Sequence, residues 1–439
     1  MVKSNLAYKA QDTVVPEVVV NESPIKWCAV ALSDVIARGK RLEASVFDVE
    51  AKQARSLIAK GKYTQSFIGG ASGMASSYVC GRFKRIWVEK SDMPIYQPSS
   101  IVDIKPTPDG YISAKTKTNI GNLRVKENQI LMTCSGTIGK VSFVSRTLAN
   151  KIFSHDLLRI DCRKPDEAGY IYAFLKSKIG NKILLTNSYG AVITHIEPEH
   201  LATVPIPDAP TMLKKKIHDL IVRSYELRDE SNDLIDQATA LLIGELKLPD
   251  IDAFDVGLYK KAAPVDTFSV RLSEMSGRLD ASYHVPIVDA IIEHLKRYAE
   301  EVTTVGDPRI SREVILPGRF KRVYVDEGYG RVLIGGKQLS ELDPSSKKYL
   351  STAKHDKMLK KLEVHEGTTL ITRSGTIGKI TIVPKHWEHY IPSDHIIRVI
   401  PANKDIAGYL NIFLASDYGK VLITRFTYGS VVDEIDDNH

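Results

Sequence analysis

Six residues, Ser-Gly-Thr-Ile-Gly-Lys, occur twice in this 439-residue chain, at 135–140 and again at 374–379. The copies lie 239 positions apart (374 − 135), and other words keep almost the same register. Arg41–Ser45 (RLEAS) matches Arg278–Ser282 (RLDAS), and Gly81–Arg85 (GRFKR) recurs unchanged at Gly318–Arg322. Downstream, Ser154 and Arg159 meet Ser393 and Arg398, Gly169-Tyr170 meets Gly408-Tyr409, and Tyr189-Gly190 meets Tyr428-Gly429. Words in one order and nearly one register mark a duplication of a unit of roughly 175 residues, longer than any solenoid brick, so each copy is expected to be a domain.

Within a copy the repeated word separates two apolar, β-branched runs, QILMTC and VSFV in the first, TTLIT and ITIV in the second. Such runs around a Gly-containing turn predict strands joined by a tight loop, with Gly136, Gly139, Gly375 and Gly378 taking positive φ. A further strand is expected at 157–160 and 396–400. A helix is expected over 168–185 and over 407–423, where the apolar spacing approaches 3.6. Each copy is therefore mixed α+β, and GRFKR reads as a solvated strand edge with Phe83 and Phe320 turned inward.

Between the copies, after VPIPDAP, the residues Leu213, Ile217, Leu220, Ser224, Leu227, Ser231, Leu234, Ala238 and Leu241 alternate spacings of four and three. That is a heptad seam of about four heptads, with Thr211 as its N-cap and Leu248-Pro249 as its end. A rod of about 28 residues at ~1.5 Å each is roughly 42 Å long, comparable with the ~34–36 Å between half-sites one DNA turn apart. The boundaries that follow are a polar tail at 1–25, a first domain at 26–209, the helix at 210–248, a linker at 249–264 and a second domain at 265–439.

Several chemistries are excluded by what the chain lacks. It has no FxGxG cofactor loop, no Asn/Asp-Pro-Pro-aromatic word, no HExxH and no GxxxxGK[ST]. SGTIGK is too short to wrap a phosphate, and Gly69–Ser77 (GGASGMASS) lacks the lysine and reads as a flexible surface loop. Ser154-His155-Asp156 puts three triad residue types in a row, where they cannot converge on one point, and the second copy reads Ser393-Asp394-His395. The four cysteines show neither CxxC nor a histidine partner set, so neither a zinc site nor a disulfide framework is expected, and a reducing cytoplasm fits. No apolar run approaches the ~20 residues of a membrane span.

What remains favours binding to an anion, in keeping with a formal charge of +7. Arg82, Lys84, Arg85, Thr133, Ser135, Thr137, Lys140 and Tyr189 in the first copy, and Arg319, Lys321, Arg322, Thr372, Arg373, Ser374, Thr376, Lys379 and Tyr428 in the second, place cations and hydroxyls on expected loops. Phosphate oxygens are bound by such groups, which fix register without reading bases. The basic run Ser345–Glu363 adds lysines that the first copy lacks, on either a solvated helix face or a groove-facing loop.

The combination of RLDAS, L(I/M)T-x-SGTIGK and YG-x-V-x-x-I, followed by IP and a heptad helix, resembles the specificity subunit of type I restriction-modification enzymes. The resemblance implies two tandem target recognition domains, each reading one half of a split double-stranded DNA site. It implies no catalysis and no cofactor in this chain; S-adenosylmethionine, ATP and Mg are expected on adenine methyltransferase (modification) subunits and on restriction/translocase subunits that join it. A type II recognition subunit of the same architecture and a non-productive scaffold are the alternatives. Base-reading side chains are expected where the copies diverge, at 50–78 against 285–315 and at 91–124 against 328–361. In the family a second spacer helix pairs antiparallel with the first. This sequence has no counterpart of it after 439, so Leu213, Ile217, Leu220, Leu227, Leu234 and Leu241 are expected to meet the same helix of another copy, a separately encoded segment or the modification subunit.

Overall fold

The apolar runs flanking each repeated word pair with one another. In a computed structural model, residues 29–38, 40–190, 193–254, 260–262, 265–429 and 432–438 are described. The tail read at 1–25 lies outside them, as do 255–259 and 263–264 of the linker. The chain divides into two units, Met1–Glu230 and Ser231–His439.

Unit 1 contains helix α1 (Val49–Ala59), then strands β1 (Gln65–Phe67), β2 (Ala75–Tyr78), β3 (Trp87–Val88), β4 (Pro94–Tyr96), β5 (Gly110–Ile112), β6 (Ile130–Thr133), β7 (Val141–Phe143), β8 (Ile152–Phe153) and β9 (Leu157–Cys162). Helices α2 (Ala168–Lys176) and α3 (Lys178–Leu185), strand β10 (Pro205–Pro207) and helix α4 (Thr211–Glu245), whose last turns belong to unit 2, follow. One antiparallel sheet has the order β2-β9-β6-β7; the other, β3-β5-β4-β8, contains a parallel β4–β8 pair. Ile171, Leu175, Ile183 and Leu184 of α2 and α3 cover the first sheet, meeting Ile130, Met132, Leu158 and Ile160 in one buried cluster.

Unit 2 repeats this plan strand for strand. After a small hairpin, β11 (Lys260–Ala262) with β12 (Val265–Thr267), come α5 (Pro286–Tyr298), β13 (Ser311–Ile315), β14 (Tyr324–Val325), β15 (Gly330–Ile334), β16 (Lys348–Ser351), α6 (Thr352–Leu362), β17 (Thr369–Thr372), β18 (Ile380–Ile382), β19 (Ile391–Pro392), β20 (Ile396–Pro401), α7 (Lys404–Ala415) and α8 (Asp417–Thr424). The sheets are β13-β20-β17-β18 and β14-β16-β15-β19, again with one parallel pair. Two copies of one mixed α+β topology, with a 35-residue helix between their sheets in the sequence, are the duplication the repeated words announced.

Local departures from the sequence reading have identifiable causes. The helix expected over 168–185 is two helices, because Ser177 is extended at ψ 155° and caps α3 by accepting from the Gly180 N–H at 3.0 Å. Ser416 breaks the second copy in the same way, accepting from Gly419. GRFKR forms no strand; the backbone is irregular until β3 begins at Trp87. Its Phe83, like Phe320 in the second copy, does pack against a core cluster. Gly69–Ser77 is no flexible loop either. A Cβ on Gly73 would lie 2.0 Å from the Gly69 carbonyl oxygen, so the turn is tight and leads directly into β2. Helix α4 takes Thr211 as its first helical residue, and its first backbone bonds run from Leu213 and Lys214 to the Pro210 carbonyl.

The repeated arginines are buried. Arg159 is 0% exposed and donates to the carbonyls of Leu157, Leu123 and Phe153, at 3.1, 3.1 and 3.2 Å. Arg398, 2% exposed, donates to the Pro392 carbonyl at 2.8 Å. Among the described residues neither forms an ion pair with a carboxylate.

Candidate nucleic-acid interface

Each SGTIGK word is a hairpin turn whose glycines are required. Gly136 and Gly139 have φ of 70° and 80°, and Gly375 and Gly378 have 74° and 78°, the left-handed region where a side chain is strained. Thr133 closes the turn, its hydroxyl accepting from the Lys140 N–H at 3.0 Å; Thr372 does the same for Lys379 at 2.9 Å. At 3% and 4% exposure these threonines serve the loop's own backbone, which removes Thr133 from the set of surface contacts.

The YG word folds back onto this turn. Tyr189 and His195 form a small bridge, as do Ser135 and His195; in the second copy Tyr428 and Ser374 each bridge Glu434. Gly136 and Gly375 donate to Thr194 and Asp433 carbonyls at 3.0 and 3.2 Å. A Cβ on Gly190 or Gly429 would lie 2.1 or 2.2 Å from a carbonyl oxygen across the turn, so only glycine fits. Words far apart in sequence thus lie side by side, and GRFKR joins them: Arg82 acts electrostatically on both His155 and Tyr189.

The side-chain chemistry of this shared frame differs between copies. In unit 1, Arg82 and Lys84 are exposed, and Arg85 lies over Phe83 and Trp87 at 6.0 and 5.8 Å from the ring centres. Position 155 is a histidine whose pKa burial lowers, with Arg85 and Arg82 acting the same way and Asp156 opposing them. In unit 2 the matching position is Asp394, which pairs with Arg322. Burial weakens the Arg322 charge, but Tyr324 and Asp394 outweigh it and hold the guanidinium protonated. Arg373, where unit 1 has buried Cys134, is neutralised by Glu434 at 2.6 Å and also donates to the Tyr428 hydroxyl at 3.1 Å. Arg322 and Arg373 are therefore tied to carboxylates. Arg319 and Lys321 remain exposed, Ser374 meets His395 Nδ1 at 2.8 Å, and Lys379 donates to the Ser340 hydroxyl at 3.0 Å. Ser135 and Lys140 are half-buried. The Tyr189 hydroxyl donates to Glu197, and its ring stacks on His200 at 5.2 Å.

The sequence assigns no binding role to His155, His195, Asp394, His395 or Glu434. For His155, Asp394 and His395 the exchange of His-Asp for Asp-His between the copies is the signal; His195 and Glu434 have none. Ser154 is fully buried, and burial pushes the Cys134 thiol up to about 11. The lysines of α6, Lys354, Lys357, Lys360 and Lys361, are exposed while Leu359 and Leu362 are buried, so the basic run is a solvated helix face.

Helix α4 presents two distinct faces. Lys214, His218, Ile221, Tyr225 and Asp229 dock on unit 1. Lys214 pairs with Glu167 at 2.8 Å, His218 Nδ1 accepts from the Gly169 N–H at 3.0 Å, and Tyr225 is bonded to the Tyr172 hydroxyl at 3.0 Å. Asp229 accepts from the Ser145 hydroxyl at 2.9 Å. The heptad seam faces elsewhere: Leu220, Leu227, Leu234 and Leu241 are 63%, 49%, 58% and 64% exposed. Leu213 is 37% exposed, and only Ile217 packs against the unit 1 core. On α7, which occupies the place of α2, Gly408 has open space around it and Tyr409 is 52% exposed, against 8% for Tyr170.

No helix among the described residues is long and apolar enough to cross a membrane. No family model matches the chain, and no curated protein does. Solved structures do. The chain is similar to a type I restriction-modification S subunit from M. genitalium, with 12% identity over 82% of this chain and 79% of that one and a TM-score of 0.27. It is similar to the HsdS subunit of Thermoanaerobacter tengcongensis, with 11% identity over 85% and 88% and a TM-score of 0.23. A third similar chain comes from work on complex assembly and conformational transition of the type I R-M system, with 14% identity over 79% and 80% and a TM-score of 0.23.

Proposed function

We propose that this chain is the DNA-recognition subunit of a type I restriction-modification enzyme, itself non-catalytic, with each unit reading one half of a split and asymmetric DNA site. One observation carries the reading. In both units four separated words converge on one surface built from the same backbone, while the charges set into that frame differ. A frame kept constant around altered chemistry is what two related but unequal targets require, since phosphate contacts position and base contacts specify. Exposed Arg82, Lys84, Arg319 and Lys321 supply the positioning cations.

The exposed leucines of α4 are the surface for methyltransferase subunits or for a helix of a second copy. The uncovered face of α7 at Gly408 and Tyr409 fits a helix of the α4 kind, because the equivalent face of α2 receives His218 and Ile221. Methyl transfer and cleavage then belong to partner subunits. Methylome sequencing of cells expressing this chain with its modification subunit, compared with the modification subunit alone, is the test. A split adenine-methylated motif appearing only with this chain is the expected result; co-purification without any new motif would sink the recognition role.

A further inference from the structure

From the geometry of one loop pair in unit 2 we infer a divalent transition-metal site, of the zinc type, made by His365, Glu388 and His389. It is independent of the DNA-recognition reading. Each of the three offers one ligating atom, and these atoms lie within 4.8 Å of one another. Tetrahedral zinc with bonds of ~2.0–2.1 Å holds its ligands about 3.3 Å apart, so small side-chain rotations close the site. Two imidazoles with a carboxylate select a borderline cation over Mg²⁺ or Ca²⁺, which prefer an all-oxygen set.

The surroundings hold the ligands in place. His389 Nδ1 bonds Glu363 Oε2 at 3.0 Å, and Arg331 lies 3.4 Å from the same oxygen. Since a carboxylate only accepts, Nδ1 carries the hydrogen and Nε2 keeps its lone pair for an ion, the carboxylate–histidine arrangement that orients metal ligands. Glu388 accepts from the Glu366 N–H at 2.8 Å, which holds its carboxylate in place, and from His365 Nδ1 at 2.5 Å, a contact that a bound ion would replace. The loop carrying Glu388 and His389 is pinned by buried Trp387, whose indole donates to the Leu342 carbonyl at 3.0 Å. His365 and His389 remain half-exposed, so an ion can enter.

Comparison with the first copy separates this chemistry from the framework. The backbone is the same in both: Val364 and His389 exchange bonds with Tyr390 and Val364 as Val125 and Asn150 do with Lys151 and Val125. His389 and Asn150 even share positive φ, at 65° and 64°. Yet the positions of Glu363, His365, Glu388 and His389 are Arg124, Lys126, Ala149 and Asn150 in the first copy (offset 239). The fold needs the turn; it does not need the ligands.

Purified full-length chain, stripped with a chelator, would be titrated with Zn²⁺ by calorimetry and with Co²⁺ by visible absorption. One equivalent per chain is expected, since the first copy has no such set. The His365→Ala/His389→Ala pair should weaken uptake by at least about tenfold, and Glu363→Gln, which removes the carboxylate that orients His389, by about tenfold. Glu388→Gln, which keeps size and shape, gives a second variant whose fold is checked by circular dichroism. Absence of saturable uptake, or equal affinity in wild type and the histidine pair, would overturn the site.

Discussion

Alanine placed separately at Gly169 and Gly408 is expected to have opposite effects, although the two glycines belong to the same repeated word. An added Cβ at Gly169 would lie 2.7 Å from His218 Cα, 3.0 Å from the His218 carbonyl oxygen and 3.1 Å from Ile221 Cβ. All three are on the body of α4, so relief requires the helix to withdraw by several tenths of an ångström. Overpacking of this kind costs ~1–3 kcal/mol, and the helical gain from replacing glycine, ~0.5–1 kcal/mol, offsets only part of it. At Gly408 nothing lies within 4 Å, which leaves the gain alone, ~0.5–1 kcal/mol. Hydrogen exchange on the full chain reads both. Protection should fall in 168–176 and 211–225 with Gly169→Ala and rise in 404–415 with Gly408→Ala. If Gly169→Ala protected these segments as well as wild type, the docking of α4 through His218 would be refuted; a large loss with Gly408→Ala would mean that the α7 face is already covered.

In an assembled complex, Arg82→Ala or Lys84→Ala should each lower the slope of log K against log salt for DNA by about 1, while Arg322→Ala and Arg373→Ala, already paired with Asp394 and Glu434, should change it less. Fluorescence anisotropy across a salt series decides it, and a reversed order would count against the assignment. Lower pH should destabilise unit 1 through His218. Burial foremost holds its pKa below the unfolded value of ~6.5, so the unfolded chain binds more protons; the stabilisation is complete above about 6.5 and is lost as pH falls through the folded value. The urea midpoint should therefore drop between pH 7.5 and 5.5, and less so in His218→Gln; equal midpoints in the wild type would contradict this. Leu227→Gln/Leu234→Gln should leave folding intact but abolish association through α4. Light scattering showing the wild type as a stable, partner-free monomer would defeat the pairing itself.

The duplication, the strand pairs around SGTIGK and the positive-φ glycines were legible because each is local: period, β-branching and Gly spacing encode them. The convergence of GRFKR, SGTIGK and YG was legible only as a list of separate words, since the contacts join residues more than fifty positions apart. Two ion pairs stayed hidden for a further reason. Arg322 and Arg373 read as cations in sequence, and nothing there reveals that Asp394 and Glu434 neutralise them. The helix is the most instructive case. Most of its apolar heptad positions mark the exposed face, while the docked face mixes Ile217, Ile221 and Val222 with Lys214, His218, Tyr225 and Asp229, so the heptad pattern alone points to the wrong side. Polar groups can be buried there because unit 1 supplies a partner for each.

Arg159 and Arg398 carry a consequence for how such a protein feels a polyanion. Each donates to backbone carbonyls, and among the described residues neither forms an ion pair with a carboxylate; Arg398 stays protonated at neutral pH even though burial lowers its pKa to about 10. Mobile ions reach surface lysines within a Debye length of ~8–10 Å, but they cannot enter the packed interior where these guanidiniums sit. Each domain therefore carries one positive charge that no dissolved counterion can contact directly, although salt screens its field outside the protein. On the proposed DNA-recognition role, one positive charge per domain should accordingly remain when every exposed cation has been replaced.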